Sequence, residues 1–325
     1  MLLPEHQYLK AESLADCLEQ LRAQGERAQL VAGGTDVIFN MRLKLFEPDI
    51  ALSIRRVPEL QQVEEFPDGG LRIGAGCRLV DLAESAVVNE RYPAFADAVR
   101  AVASAHIRNI ATLGGNICLK TRCWYTNNSE QWRQGVKKCF KTDGDLCHVI
   151  KSSSLCHAIN NADTPLPLIA LGAVLTLQNT ERRREVPIAE FYQKDGMSHT
   201  VLQADELVTH VTLPPVSDRT VFLKIAARQG MDFSQAAIAA RASGAGESAP
   251  QVSLVLGSIS MAPIVLDAPA RIAMEQGLSD TAIEQAVEQV RSELGELTSL
   301  YARAAYKAHL AKVLVRRALK ALRAM

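Results

Sequence analysis

Cys123, Cys139, Cys147 and Cys156 fall within 34 residues of a 325-residue chain, spaced C-x15-C-x7-C-x8-C. Four thiols so close together supply the ligand count of a tetrahedral metal site or of an iron–sulfur cluster. The spacing lacks the C-x2-C pairs of most zinc modules, which ranks a cluster held by one wrapping loop ahead of zinc. Residues 120–160 are too polar to fill an ordinary core with thiols. Cys17, Cys77 and Cys118, in apolar surroundings, read instead as small buried hydrophobes. The opening MLLPEHQYLKAES has no basic-then-apolar run of a signal peptide, so a cytoplasmic chain with reduced thiols is expected, and disulfides are disfavoured.

A second chemistry lies in two Gly-Gly segments. Leu30-Val31-Ala32-Gly33-Gly34-Thr35-Asp36 reads as a strand, a turn and a helix start, and Thr112-Leu113-Gly114-Gly115-Asn116 as a second loop in a matching strand context. Glycine lets backbone N–H groups approach an anion with no Cβ in the way, and a helix N-terminus and threonine hydroxyls add to the attraction. A diphosphate is the natural occupant. Gly74-Ala75-Gly76 imitates the start of a dinucleotide fingerprint, but Leu79 stands where the third glycine belongs, so no Rossmann domain is assigned.

The elements that must position these groups follow from hydrophobic periodicity and turn residues. A helix at 13–24, a strand at 29–32, a helix at 36–44 and a strand at 49–54 make a first lobe, residues 1–55. Residues 56–215 make a second lobe, with strands at 70–74, 173–178 and 206–213, helices at 79–85 and 94–103, and the cysteine-rich insertion at about 120–160. Pro214-Pro215 marks a boundary. Residues 216–325 then form a C-terminal α/β domain, with strands at 221–226, 236–242 and 251–259, a Gly/Ser-rich loop before the last strand, and helices to the end.

Composition limits the function classes. A hydrophobic fraction of 48% over this length suits two or three lobes with sizeable cores, and no apolar run approaches a membrane span. Lys plus Arg and Asp plus Glu number 36 each, so no global charge attracts nucleic acid or an anionic membrane. From Leu300 onward there are seven Lys or Arg and no acid, on an amphipathic helical pattern carrying Leu310, Val313, Leu314 and Ala318. That basic face reads as solvated rather than as a nucleic-acid surface.

The motifs Ala32-Gly33-Gly34-Thr35-Asp36, HIRNIATLGGN at 106–116 and ADTPLPLIALGA at 162–173 occur in an order that resembles the FAD-binding subunit of the molybdenum hydroxylases, the family of xanthine dehydrogenase and carbon monoxide dehydrogenase. The resemblance covers nearly the whole chain and continues through Phe222-Leu223-Lys224 with Arg228 and Asp232. It implies an α+β fold: a two-lobed FAD-binding domain of the PCMH/VAO type, then a C-terminal α/β domain of the CO dehydrogenase flavoprotein type. It also implies that Val31, Ala32, Gly33, Gly34, Thr35, Asp36, Thr112, Gly114, Gly115 and Asn116 surround the FAD diphosphate and its approach to the flavin. Asp163 would accept hydrogen bonds from hydroxyls of the FAD chain. Lys224 would lie near the isoalloxazine, where a cation favours electron density on the reduced ring. Substrate chemistry would belong to a partner subunit, and no residue here is implied to be catalytic.

The departure from the family is the insertion. Asn116 and Asp163 are separated by 46 residues where ordinary members have a short link, and the excess holds all four clustered cysteines. Such an insertion is similar to that of the branch acting as 4-hydroxybenzoyl-CoA reductase, whose FAD subunit carries an additional [4Fe–4S] cluster. That likeness implies Cys123, Cys139, Cys147 and Cys156 as cluster ligands. It implies electron flow from ferredoxin through [4Fe–4S] and FAD to the [2Fe–2S] clusters of one partner subunit and the molybdenum cofactor of another. The assembly would be a hetero-oligomer on the pattern of a dimer of heterotrimers. The alternative is the FAD subunit of an oxidative molybdenum hydroxylase whose insertion is structural or binds zinc, with His148 and His157 as further candidate ligands. Residues 120–160 carry seven basic and three acidic groups, a balance of +4, which suits an anionic cluster and an acidic docking partner. Trp124 and Trp132, the two tryptophans of the chain, are candidate shields of the cluster.

Overall fold

The computed structural model describes residues 2–216, 218–243, 251–295, 297 and 302–325. Local sequence explains the first helix. The Ser13 hydroxyl caps Leu14–Gln24 by accepting from the Asp16 N–H at 3.1 Å, and Cys17, Leu18 and Leu21 recur on one face. That face packs on a parallel sheet of β1 (Gln7–Lys10), β2 (Ala28–Val31) and β3 (Ile50–Ser53), in which β3 is central and buried along its length. The first Gly-Gly segment leaves the C-terminal end of β2 and enters the helix Val37–Arg42. Open parallel sheets form ligand sites at this end of their strands.

A five-stranded antiparallel sheet follows, with β4 (Val63–Glu65), β5 (Leu71–Gly74), β6 (Val174–Gln178), β7 (Arg183–Pro187) and β8 (Leu207–Leu213) in the order β4-β5-β8-β6-β7. Helices Leu79–Glu84, Pro93–Ala101 and Pro165–Ala170 share its core through Leu79, Phe95, Val99 and Leu168. The third sheet is antiparallel: β9 (Arg219–Ala226), β10 (Ser234–Ser243), β11 (Gln251–Gly257) and β12 (Ile264–Val265), in the order β12-β11-β10-β9. Successive side chains of β10 point to opposite faces. Ala236, Ile238, Ala240 and Ala242 pack with helices Asp267–Gln276, Asp280–Glu293 and Ala304–Ala324, whereas Ala237 and Ala239 join the core of the second sheet. Small residues on both faces of β10 therefore weld the C-terminal body to the one before it. The Gly/Ser-rich loop expected before β11 falls at residues 244–250, outside the described residues.

The basic terminal helix is matched to an acidic neighbour. Lys312, Arg316 and Arg323 pair with Glu288, Glu284 and Asp280 of Asp280–Glu293 at 3.0, 2.6 and 2.9 Å. Lys307 of the same helix is buried and donates to the Ser258 carbonyl at 2.7 Å, and burial pushes its pKa down to about 8. Among the described residues no helix is long and apolar enough to cross a membrane.

Two sequence expectations change. The Gly114-Gly115 segment is not a loop after a strand: Thr112 caps the short helix Leu113–Ile117, its hydroxyl accepting from the Gly115 N–H at 3.2 Å, and the helix Ala105–Arg108 precedes it. A capping threonine three residues before an available N–H outweighs the loop preference of the glycine pair. The insertion also has structure of its own, a helix Glu130–Gln134 capped by Ser129 and a 3-10 turn at Phe140–Thr142.

Candidate functional site

A cavity of about 580 Å³ opens between the lobes, lined by both Gly-Gly segments, by Asp163 and by Lys224. The glycines bring its walls together. A Cβ on Gly33 would lie 2.0 Å from the Ile110 carbonyl oxygen, so only glycine lets the first segment meet the chain leading into the second. Gly34 adopts φ +72°, a conformation that favours glycine. On the far side, the Gly114 N–H donates to the Ala75 carbonyl at 2.7 Å and anchors the second segment on the end of β5.

The polar groups are buried and paired. Asp163 Oδ2 accepts from Lys224 Nζ at 2.7 Å and Oδ1 accepts from the Ser234 hydroxyl at 3.2 Å. Burial pushes the Asp163 carboxyl above the usual carboxylate range, and the Lys224 ammonium pulls it back. Lys224 projects from the middle of β9 and donates also to the Ala101 carbonyl at 2.9 Å. Asn116 Oδ1 accepts from the Thr164 hydroxyl at 2.7 Å, which ties the second Gly-Gly segment to the chain carrying Asp163. Asp36 accepts from Asn40 at 2.8 Å and pairs with Arg122; burial raises its pKa while Arg122 and Lys120 lower it.

Ala32, Gly33, Gly34, Thr35, Asp36, Thr112, Gly114, Gly115, Asn116, Asp163 and Lys224 all line this cavity. Val31 is not among the lining residues: it is buried, and its Cγ1 lies 3.5 Å from where a Cβ on Gly34 would stand. Cys118, expected in the core, is half-buried in the cavity wall, where burial pushes its thiol up to about 12. Sequence reasoning missed Phe46, Lys120, Arg122, His199 and Phe233, which also line the cavity. Lys120 Nζ stands 4.1 Å from the Phe46 ring centroid, and burial lowers the His199 pKa. Arg122 alone carried a usable signal, its place beside Cys123; the others arrive by tertiary packing.

The four clustered cysteines line a second, smaller pocket together with Tyr125, Phe140, His148 and Val149. Cys139, Cys147 and Cys156 are buried and Cys123 is half-buried. Burial pushes the Cys123 thiol up to about 11, with the other three thiols adding to the rise. The Thr142 hydroxyl donates to Cys139 Sγ at 3.7 Å. Among the described residues no group of three or more His, Cys, Asp or Glu side chains is assembled to hold a metal ion. His157 is not in the pocket and its Nε2 lies 2.7 Å from the Ser153 hydroxyl, while His148 Nε2 lies 2.6 Å from the Lys137 carbonyl. The tryptophans are not lining residues of this pocket but stand behind one: they meet edge to face at 6.3 Å, Trp132 lies 6.3 Å from the ring of the lining Tyr125, and Trp124 is 45% exposed. The polar character of the insertion concealed that some of its apolar side chains, Phe140, Leu146 and Val149 among them, collect around the thiols.

Comparison with known proteins agrees with this architecture. Residues 4–216 match the model of the FAD binding domain in molybdopterin dehydrogenase, and residues 221–322 that of the CO dehydrogenase flavoprotein C-terminal domain. The chain is 32% identical over 223 residues to the aldehyde oxidoreductase FAD-binding subunit PaoB of Escherichia coli, covering 66% of this chain and 70% of the relative. It is 25% identical to the glyceraldehyde dehydrogenase medium chain of Sulfolobus acidocaldarius over 98% of this chain and 99% of that one. Carbon monoxide dehydrogenase from Hydrogenophaga pseudoflava has the same fold, with a TM-score of 0.83 at 23% identity, covering 100% of this chain and 99% of that chain. Two family models in tandem account for the lobes that enclose the cavity, and the chain therefore belongs to the FAD-binding medium subunits of the molybdenum hydroxylases.

Proposed function

We propose that this chain is the electron-transfer subunit of a 4-hydroxybenzoyl-CoA reductase, holding FAD in the large cavity and a [4Fe–4S] cluster on Cys123, Cys139, Cys147 and Cys156. One observation carries the reading: the four thiols gather at one pocket, and the chain from Cys118 to Cys123 runs from the wall of the FAD cavity into it. A single zinc ion needs its sulfurs about 2.3 Å from one point, whereas a four-iron cluster takes one thiolate at each of four irons. Four thiols on one pocket, from a loop without C-x2-C pairs, supply one ligand for each iron of such a cluster.

The chain's own residues have definite tasks. The first Gly-Gly segment presents backbone N–H groups and the Thr35 hydroxyl to the diphosphate; the second, whose Gly114 and Gly115 N–H groups are taken by the Ala75 carbonyl and the Thr112 hydroxyl, supplies close-packed wall, and Asp163, held by Lys224 and Ser234, accepts from hydroxyls of the cofactor. Lys224 places a positive charge in the cavity. Lys141 lies within electrostatic reach of Cys156, Cys123 and Cys139 and offsets the charge of their thiolates. Once bound, FAD supplies one- and two-electron exchange and the cluster one-electron exchange. A molybdenum-cofactor subunit and a [2Fe–2S] subunit complete the enzyme, and ferredoxin is the donor, for which the basic insertion is the docking candidate.

The second reading, an FAD subunit of an oxidative dehydrogenase with a structural or zinc-binding insertion, is favoured by the names of the relatives, an aldehyde oxidoreductase and a glyceraldehyde dehydrogenase. Anaerobic purification of the complex, with flavin, iron, acid-labile sulfide and molybdenum quantified, separates the two. The expected result is FAD, a [4Fe–4S] signal lost with the insertion cysteines, and ferredoxin-dependent reduction of 4-hydroxybenzoyl-CoA. Zinc without sulfide on this chain, with aldehyde oxidation and no thioester reduction, establishes the second reading instead.

A further inference from the structure

We propose that Ser258 is a positioning residue for the flavin site: its hydroxyl donates to Ser234, which commits the Ser234 proton to Asp163 and keeps that carboxylate directed at the large cavity. The proposal rests on the assignment of that cavity to FAD. Asp163, one of its lining residues, is gripped from two paired strands. Lys224 of β9 donates to Oδ2 at 2.7 Å, and Ser234, the first residue of β10, donates to Oδ1 at 3.2 Å. Each carboxylate oxygen can accept about two hydrogen bonds, so the sites left over are those that serve hydroxyls of the cofactor.

A second hydroxyl stands behind Ser234. Ser258 Oγ lies 2.7 Å from Ser234 Oγ, and both residues are buried. A serine has a single O–H proton, and an ionised carboxylate has none to give. With the Ser234 proton on Asp163, the proton between the two serines comes from Ser258. The chain of donors therefore runs one way, from Ser258 to Ser234 to Asp163, and each polarises the next. Without the Ser258 hydroxyl, the buried Ser234 oxygen loses its donor and its hold on Oδ1 weakens.

The turn after β11 fixes Ser258 itself. Its backbone takes φ +62°, a left-handed conformation uncommon outside glycine. Lys307, buried on the terminal helix, donates to the Ser258 carbonyl at 2.7 Å. Just before it, a Cβ on Gly257 would lie 2.7 Å from the Leu166 side chain, and Leu166 follows Asp163 by three residues. Just beyond it, the Ser260 carbonyl accepts at 3.0 Å from the N–H of Asn160, three residues before Asp163. The turn thus packs along the segment that carries the carboxylate, so the Ser258 hydroxyl and Asp163 hold a fixed relation to each other.

The test titrates FAD into the flavin-free full chain by fluorescence and measures the melting temperature of the FAD-free protein beside it. Ser258→Gly and Ser258→Ala both lose the hydroxyl but act oppositely on the backbone, since glycine accepts a positive φ and alanine resists it. Both should raise the FAD dissociation constant roughly two- to tenfold, as for loss of a hydrogen bond between neutral groups, while the melting temperature falls further in the alanine variant than in the glycine variant. In a Ser234→Ala background, which itself binds FAD more weakly, Ser258→Gly should change the affinity little further, because the two serines act as one chain. If one Ser258 variant fails to fold, the other decides within the same cycle. Wild-type affinity in Ser258→Gly, or an affinity loss confined to the alanine variant, overturns the proposal, since the backbone and not the hydroxyl then matters. So does a full effect of Ser258→Gly on top of Ser234→Ala, or wild-type affinity in Ser234→Ala alone. A wild-type chain that binds no FAD rejects the cavity assignment itself and is thereby told apart from a failure of Ser258.

Discussion

The large cavity proposed for FAD and the cysteine pocket are joined through the chain at Cys118 to Cys123, yet they are built differently. Strand ends, short helices and close backbone contacts shape the first: β2 delivers one Gly-Gly segment, β5 anchors the other, and β9 supplies Lys224. Little regular structure shapes the second, which gathers side chains from one long segment closed at Arg122 and Ile159. A site drawn from several elements is preorganised by the fold, whereas a site drawn from one polar loop needs its ligand to supply ordering free energy. The two should therefore fail in different ways when disturbed.

The largest effect is expected from breaking the fold-built cavity at its closest backbone approach. Gly33→Val puts a branched side chain where even a Cβ would lie 2.0 Å from the Ile110 carbonyl oxygen, and visible flavin absorbance of the purified complex should be lost. Cys139→Ser should break the other site alone, with iron and sulfide content falling sharply while most of the flavin remains; a parallel loss of flavin would end the distinction drawn here. Asp163→Ala strips Lys224 of its buried partner and should cost about 3–5 kcal/mol in urea unfolding.

Smaller effects belong outside both sites. Burial holds the Lys307 pKa at about 8, below its ordinary 10.5, so between those values the folded state binds fewer protons than the unfolded one and stability rises with pH. Relative to Lys307→Met, whose side chain does not titrate, the wild type should gain roughly 1–3 kcal/mol across that window in denaturant titrations at stepped pH. Arg316→Ala breaks a partly exposed pair with Glu284 and should change stability by at most about 1 kcal/mol, with FAD and iron content untouched.

Much of the fold was legible because period and punctuation were strong. The helix after Ser13 carries a capping serine and a regular apolar face, and β10 and β11 are long and continuous. The short pieces were not: Leu113–Ile117 is too brief to show a period, and its glycine pair imitates a loop. In the cavity, motif residues were visible because close packing of one chain segment on another demands glycine at fixed positions, as at Gly33 against Ile110 and Gly114 against Ala75. Phe46, His199 and Phe233 carry no such demand, and only packing of distant segments brings them there.

By itself, the sequence determined the family, the tandem of FAD-binding and C-terminal domains, and an insertion rich in thiols, because glycine pairs, alternation and cysteine count are local properties of the chain. Tertiary structure alone decided that Cys118 joins the cavity wall while Val31 does not, that the terminal basic helix pairs with Asp280, Glu284 and Glu288, and that Arg122 stands between Asp36 and Phe233. These depend on which segments distant in sequence are pressed together and on what each buried polar atom finds there, and no local pattern encodes either.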